Sequence, residues 1–155
     1  MCGIAGYFGI QEIELQRVSA TLSSMQRRGP DHRAHRRWAN PIGRHCELLH
    51  ARLSIIDLTK AGRQPMADPQ TGNWLTYNGE IYNFQEIRQD LEAQGLTFSS
   101  KTDTEVLLLA YRVWGKAAVN RLRGMFAFGL WDSSQEQLLL ARDRIGTVSY
   151  THLTL

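Results

Sequence analysis

The amino-acid sequence predicts one α+β domain built from layers of sheet and helix. The chain has 155 residues, about one domain by the usual prior of roughly 100–200 residues per domain. Strand-like and helix-like segments are mixed along it, with no tandem repeat and no low-complexity tract. It is 43% hydrophobic and 21% charged, which favours a folded core over disorder. Mixed elements in a chain of this length favour a layered domain.

The N-terminal part predicts a strand, a helix and a second strand. Residues 2–8 form a short strand with glycines inside it, which often marks a close approach of another backbone. Residues 12–27 repeat apolar side chains at helical spacing and end before Gly29-Pro30, where a helix stops. Residues 46–57 are apolar and partly alternating, which predicts a strand. We expect the arginine-rich segment 27–37 to be a solvated loop.

The C-terminal part predicts three further strands. Residues 73–77 form a strand that runs into a turn at Asn78-Gly79, a dipeptide typical of hairpins. Residues 125–131 and 138–141 are two strands joined by a polar turn, which predicts a hairpin.

Two helices are predicted from capping patterns between these strands. Asn83 with Glu86, and Thr102 with Glu105, fit the capping box at a helix N-terminus. Apolar residues at helical spacing follow the first pattern, and the apolar helix 106–114 follows the second.

Cys2 is the first candidate for chemistry. Removal of Met1 leaves a thiol and a free α-amine on the same residue. An α-amine titrates near neutral pH and can therefore take the proton of its own side chain, as in N-terminal threonine nucleophiles. The alternative is a small residue that packs in a strand, and position alone favours this structural role.

Other polar residues suit a substrate that is a free amino acid with an amide group. Asn78 and Gly79 offer a side-chain amide and an unhindered backbone N–H for an oxyanion. Arg52 suits a carboxylate, because its planar guanidinium binds it with two hydrogen bonds. Glu80 and Asp103 suit an ammonium group. Each residue alone has a structural alternative, since Asn-Gly forms hairpin turns and Asp103 can support a helix start.

Seven motifs in order extend this set. They are Cys2-Gly3-Ile4-Ala5-Gly6, Arg28-Gly29-Pro30-Asp31, His50-Ala51-Arg52-Leu53-Ser54-Ile55-Ile56-Asp57, Asn78-Gly79-Glu80-Ile81-Tyr82-Asn83, Thr102-Asp103-Thr104-Glu105, Gly124-Met125-Phe126-Ala127-Phe128 and Ala141-Arg142-Asp143-Arg144-Ile145-Gly146. The chain thereby resembles the class II glutamine amidotransferase domain of glutamine-dependent asparagine synthetases. The resemblance implies a four-layer αββα sandwich of the N-terminal-nucleophile hydrolase type.

The resemblance also implies a role for each matching residue. Cys2 is expected to be the nucleophile, with Asn78 and Gly79 as the oxyanion hole. Glutamine is expected to be bound by Arg52, Leu53, Ser54, Ile55, Ile56, Asn78, Gly79, Glu80 and Asp103. No cofactor or metal is expected in this chain. Two alternatives stay open: an inactive glutamine-binding or regulatory module, and an amidotransferase that serves a different carboxylate acceptor.

The family's organisation implies further partners. Ammonia would pass to a synthetase domain, normally on the same chain, that binds ATP and Mg²⁺ and converts aspartate to asparagine; the full-length protein is a possible homodimer. We expect the amidotransferase domain to span residues 2–146. Residues 147–155 depart from the family pattern, and we expect a foreign or truncated tail there.

Charge and cysteine content argue against several other classes. The net charge of +3 is low, and the arginine-rich segment lacks interleaved aromatics, so no nucleic-acid partner is expected. No apolar run approaches the roughly 18 residues of a membrane span. The spacing of the histidines with Cys46 fits no standard zinc pattern. Cys46 is expected to pack in the core, and two cysteines without a leader sequence favour a cytoplasmic location.

Overall fold

The computed structural model describes residues 2–55 and 57–146. Ile56 and the predicted tail 147–155 therefore lie outside the described residues. The strands are β1 Gly3–Gly9, β2 His32–Ala39, β3 His45–Arg52, β4 Met66–Ala67, β5 Trp74–Ile81, β6 Gly124–Asp132 and β7 Gln137–Arg142. The α-helices are α1 Leu15–Ser24, α2 Phe84–Ala93 and α3 Asp103–Trp114, and short 3₁₀ helices cover Lys60–Gly62 and Gly115–Arg121.

Two antiparallel sheets form the middle of the domain. The first sheet has the strand order β1-β3-β2, and the second has the order β4-β5-β6-β7. Helix α1 packs on the outer face of the first sheet, where Val18 contacts the cluster around Leu49. Helices α2 and α3 pack on the outer face of the second sheet, where Leu91 and Leu107 join the large core with Leu75. The resulting order of layers is helix, sheet, sheet, helix.

Alternation along β3 explains how the two sheets meet. Successive strand residues point to opposite faces, so Leu48 and His50 face the second sheet while Leu49 faces α1. The His50 imidazole lies 3.2 Å from the Tyr77 carbonyl oxygen, from Nε2. The Thr76 hydroxyl donates to the Leu49 carbonyl at 3.0 Å. Polar contacts thus join the sheets at the same level as the apolar packing.

The prediction of a loop for the arginine-rich segment is wrong from residue 32 onward. Strand β2 pairs with β3 from His32 opposite Arg52 to Ala39 opposite His45. Its positive charges are partly neutralised by the buried carboxylate of Glu47, which accepts from Arg37 and contacts His35. A strand rich in charge is therefore stable here because a buried acid on its neighbour faces it.

The prediction of a turn at Asn78-Gly79 is also wrong, because both residues lie inside β5. Asn78 pairs with Ala127, and Gly79 pairs with Phe126. A Cβ atom at Gly79 would overlap the carbonyl oxygen of Met125. Glycine at this position therefore serves the close approach of β6, and the strand continues through the dipeptide.

Other element boundaries differ from prediction in smaller ways. Strand β3 ends at Arg52 rather than at residue 57, and α1 is shorter than 12–27. The Thr102 hydroxyl accepts from the Glu105 N–H at 3.2 Å, so the predicted cap of α3 is confirmed. Asn83 does not cap α2: its side chain bonds the backbone of Arg121 and Arg123 instead. The β6–β7 hairpin and the burial of Cys46 are confirmed.

Candidate active site

A cavity of about 200 Å³ opens where β3, β5 and the start of α3 meet. Most of the predicted site residues line it: Cys2, Arg52, Leu53, Ile55, Asn78, Gly79, Glu80 and Asp103. Ser54 does not line this cavity; it lines a second, more polar one that Arg52 also lines. The structure thus gathers residues from four separate segments of the chain around one cavity.

Cys2 is held beside the end of β3. Gly3 pairs with Ala51 in the register of β1 and β3, which places Cys2 next to the segment after Arg52. The Leu53 N–H donates to the Cys2 sulfur at 3.4 Å, and the sulfur lies 3.6 Å from the Leu53 carbonyl oxygen. The side chain is partly exposed. The sulfur therefore has a defined position at the cavity wall and stays accessible.

The motif Arg28-Gly29-Pro30-Asp31 fixes this corner of the cavity, a role that sequence reasoning missed when it took the motif as a helix stop. Arg28 Nε donates to the Cys2 carbonyl at 3.2 Å. The Asp31 carboxylate accepts from the Ser54 N–H at 2.7 Å, and its own N–H donates to the Arg52 carbonyl at 3.0 Å. A Cβ atom at Gly29 would overlap the backbone of β3.

Arg52 presents a buried guanidinium to both cavities. Its Nη1 donates to the Thr59 carbonyl at 2.8 Å, and Nη2 donates to the Asp57 carbonyl. A Cβ atom at Gly62 would overlap Nη2, so glycine makes room for the guanidinium. A guanidinium carries five N–H donors, and two backbone carbonyls orient it without consuming them all.

Asn78 supplies an amide that is free to act on a ligand. It is 4% exposed, and within the part of the chain that the structure describes its side chain makes no hydrogen bond. Asn78 faces the cavity beside Gly79, so its amide can donate to a ligand there.

Asp103 begins α3 and lies 4% exposed at the cavity. Burial raises the pKa of its carboxyl, while hydrogen bonds from Tyr77 and from the Ile81 N–H oppose the rise. Burial raises the pKa of Tyr77 as well, and the neighbouring Asp103 carboxylate adds to the rise. The phenol therefore stays protonated and donates to Asp103 at 2.6 Å.

Tyr77 and Gln64 line the cavity and were not predicted from the sequence to be site residues. Tyr77 looked like an ordinary strand residue, and Gln64 lies in a segment without a clear pattern. Gln64 accepts from the Tyr77 N–H at 2.6 Å and donates to the Thr104 hydroxyl at 3.2 Å, which ties β5 to α3. The alternation of β5 around Asn78 was the available signal for Tyr77, whereas Gln64 had none.

Comparison with known families agrees with this geometry. A family model described as a glutamine amidotransferase domain matches residues 1–152. The chain belongs to this family.

Curated relatives of this amidotransferase domain are longer proteins. Asparagine synthetase [glutamine-hydrolyzing] 3 of Bacillus subtilis is 40% identical over 94% of the chain and 24% of its own length. Asparagine synthetase B [glutamine-hydrolyzing] of Escherichia coli is 38% identical over 96% of the chain and 26% of its own length. Amidase chry2 of Gibberella zeae is 35% identical over 96% of the chain and 23% of its own length. The chain thus spans about a quarter of these relatives.

Solved structures share the fold of this domain. The glutamine phosphoribosylpyrophosphate amidotransferase from B. subtilis, complexed with ADP and GMP, superposes with a TM-score of 0.70 at 21% identity, over 90% of this chain and 37% of that one. A second structure, titled as the allosteric regulatory enzyme of purine biosynthesis, gives a TM-score of 0.71 at the same identity and coverage. The predicted N-terminal-nucleophile hydrolase fold is confirmed.

The remaining polar groups of the amidotransferase domain define what the cavity holds. Among residues 2–55 and 57–146, no three His, Cys, Asp or Glu side chains are grouped so as to hold a metal ion. In the same ranges, no helix is both long and apolar enough to cross a membrane. The cavity instead combines a thiol, an unpaired amide, a guanidinium and a buried carboxylate. This set can bind the α-carboxylate and the α-ammonium of an amino acid and attack an amide in its side chain.

Proposed function

We propose that this domain hydrolyses the side-chain amide of glutamine to glutamate and ammonia, with Cys2 as the nucleophile. The observation that carries the proposal is the single cavity shared by the Cys2 thiol, the unpaired Asn78 amide, Arg52 and Asp103. Each group matches one part of glutamine. The match to the glutamine amidotransferase family supports the same substrate.

The reaction follows from the thiol. After removal of Met1, the α-amine of Cys2 accepts the thiol proton, and sulfur attacks the carboxamide carbon. The tetrahedral oxyanion receives hydrogen bonds from the Asn78 amide and the Gly79 N–H. Collapse expels ammonia, which takes the proton, and leaves a thioester. Water then attacks the thioester, which releases glutamate and restores the thiol.

The α-carboxylate and the α-ammonium of glutamine are assigned to residues of opposite charge. Arg52 and the segment from Leu53 through Ile56 would hold the α-carboxylate, with the guanidinium as the charged partner. Asp103 and the exposed Glu80 would meet the α-ammonium. The lining of this cavity by Leu53 and Ile55 supports a role for that segment, whereas Ser54 lines the second cavity.

The full protein that we propose extends beyond this chain. Residues 2–146 would be the amidotransferase domain, and 147–155 a truncated or foreign tail. A synthetase domain on the same protein would bind ATP and Mg²⁺ and use the ammonia to convert aspartate to asparagine, in a cytoplasmic enzyme that is a possible homodimer. The names of the bacterial relatives support this acceptor. A relative named as an amidase keeps a different acceptor as the second candidate.

The test is covalent labelling with a diazoketone analogue of glutamine. We expect one adduct, on the N-terminal peptide that carries Cys2, and glutamate release from glutamine by the unmodified protein. Cys2→Ala should abolish both, whereas the matched variant Cys46→Ala should retain both. Glutamine turnover that survives Cys2→Ala would contradict the proposal. Reversible binding without an adduct and without turnover would instead favour a glutamine-binding module.

A further inference from the structure

The hydrogen bond from Tyr77 to Asp103 is a buried contact at the cavity wall, and the reaction proposed above gives Tyr77 no role. Tyr77 lies on β5 directly before Asn78, and its side chain is 3% exposed. Its hydroxyl donates to Asp103 Oδ2 at 2.6 Å, and the Ile81 N–H donates to the same oxygen at 3.2 Å. Both hydrogen bonds thus fall on one oxygen of the carboxylate.

The other oxygen of Asp103, Oδ1, faces no side-chain donor. Among the described residues, no side chain donates to Oδ1, and Asp103 lines the cavity. The backbone N–H groups of Asp103 and Thr104 also hydrogen-bond to the carboxylate. A buried carboxylate needs donors in order to stay ionised. Tyr77 supplies a neutral donor, which favours the charged form without cancelling its charge as a cation would. The pair therefore keeps a negative charge available at one fixed point of the wall.

We propose that Tyr77 is a positioning residue that makes Asp103 selective for the α-ammonium group of the substrate, an inference that rests on the proposed glutamine hydrolysis. The Tyr77 hydroxyl would not touch the substrate. It holds the carboxylate ionised and turned so that Oδ1 can accept from an ammonium. Loss of the Tyr77 hydroxyl should not change the affinity for ligands that lack the α-ammonium group.

A second tyrosine–aspartate pair, which includes a residue of α3 as the first pair does, provides a matched control. Tyr111 donates to Asp132 Oδ2 at 2.9 Å, also as a buried tyrosine–aspartate pair between α3 and the second sheet. Neither Tyr111 nor Asp132 lines the cavity. Tyr111→Phe therefore removes a comparable buried hydrogen bond away from the substrate, and Tyr77→Phe removes it beside the substrate.

The first test measures ligand binding in the Cys2→Ala background, which does not depend on turnover. Calorimetry compares glutamine with 5-amino-5-oxopentanoate, which is glutamine without its α-amino group. Tyr77→Phe should weaken glutamine binding about tenfold, the size expected for a hydrogen bond to a charged group, and should change binding of the analogue less than twofold. Tyr111→Phe should leave both affinities unchanged. Tyr77→Leu, which also deletes the hydroxyl, should give the same discrimination between the ligands.

The second test uses the pH dependence of glutamine affinity in the Cys2→Ala background, where no catalytic base has to be deprotonated. Loss of the hydroxyl raises the pKa of Asp103 further above its usual range, so the ionised form that binds ammonium disappears at a higher pH. The loss of glutamine affinity on acidification should therefore begin at higher pH in Tyr77→Phe and stay in place in Tyr111→Phe. The other titratable or charged groups that line this cavity are Cys2, Arg52, Asp57 and Glu80. All four positions are the same in both variants, with alanine at position 2 in each.

Two results would overturn the inference. One is glutamine affinity unchanged in Tyr77→Phe, and the other is an equal loss of affinity for glutamine and for the analogue, which would indicate a purely structural role. Failure of the proposed function is separate, because it would show as absent glutamine turnover in the unmodified protein. The binding comparison remains decisive in that case.

Discussion

The space between the two sheets has two different ends, and each contains one of the two cysteines. At one end, Cys2 lies at an open cavity that Arg52 and Asp103 also line. At the other end, Cys46 is 1% exposed and packs with Leu48 and Trp131. The ring of Trp38 stacks on Trp131 there, with centroids 5.7 Å apart. The same side chain is thus placed once for access and once for packing.

The difference lies in what the sheets place around each sulfur. Near Cys2, glycines at 29, 62 and 79 let backbone and side chains approach closely and leave a cavity where the strands end. Near Cys46, large aromatic rings fill the space between the sheets. Burial, with a smaller contribution from Glu47, raises the pKa of the Cys46 thiol to about 12. A thiol that stays protonated is a poor nucleophile.

The largest expected contrast is in alkylation. With iodoacetamide at pH 8, Cys2 of the folded protein should react, and Cys46 should react at least about 10³ times more slowly. Reaction at Cys46 requires unfolding, and a stability of about 5 kcal/mol or more keeps the unfolded fraction below that level. Peptide masses over time measure both rates. In urea the two rates should converge, and a Cys46 rate within tenfold of Cys2 in the folded state would refute the contrast.

The next expected effect is on catalysis at the open end. Asn78→Ala removes the proposed oxyanion donor and should lower kcat for glutamine by about 10²–10³, with little change in KM. Steady-state glutamate release measures it. The control is Asn73→Ala, which removes a buried amide that accepts from the Ser133 N–H at 2.9 Å and should cost stability without that loss in kcat. Equal kcat values for the two variants would argue against an oxyanion role.

The smallest expected effect is on stability at the closed end. Cys46→Ala should reduce the free energy of unfolding by about 1–2 kcal/mol through lost packing, with kcat for glutamine unchanged. Urea unfolding at pH 7 measures it. A loss of activity in the folded variant would show that the two ends are coupled.

The pH dependence of the stability difference between the native protein and Cys46→Ala tests the pKa of the same thiol. The folded pKa of about 12 lies above the ordinary value of 9.0, so the folded state keeps a proton that the unfolded state releases. The contribution of Cys46 to stability is therefore full below pH 9 and is lost as pH rises toward 12. The stability difference between the native protein and Cys46→Ala should accordingly shrink between pH 8 and pH 10. A difference that grows over this interval would contradict the assignment.

The sequence by itself determined the mixed α+β class, the β6–β7 hairpin and the cap at Thr102. These features depend on alternation, turn residues and side-chain–backbone bonds within a few positions, all of which are local. It also identified Cys2, Arg52, Asn78 and Asp103 as candidate site residues, because residue type and the ordered motifs around them indicate their chemistry.

Only the tertiary structure decided what lies opposite each segment. The arginine-rich β2 became a strand because β3 and the buried Glu47 face it. Asn78 and Gly79 stayed in β5 because β6 passes close by, where only a glycine fits. The contacts of Tyr77 with Asp103 and of Arg28 with Cys2 join residues 26 positions apart. Such pairings depend on strand register and layer packing, which no local pattern contains.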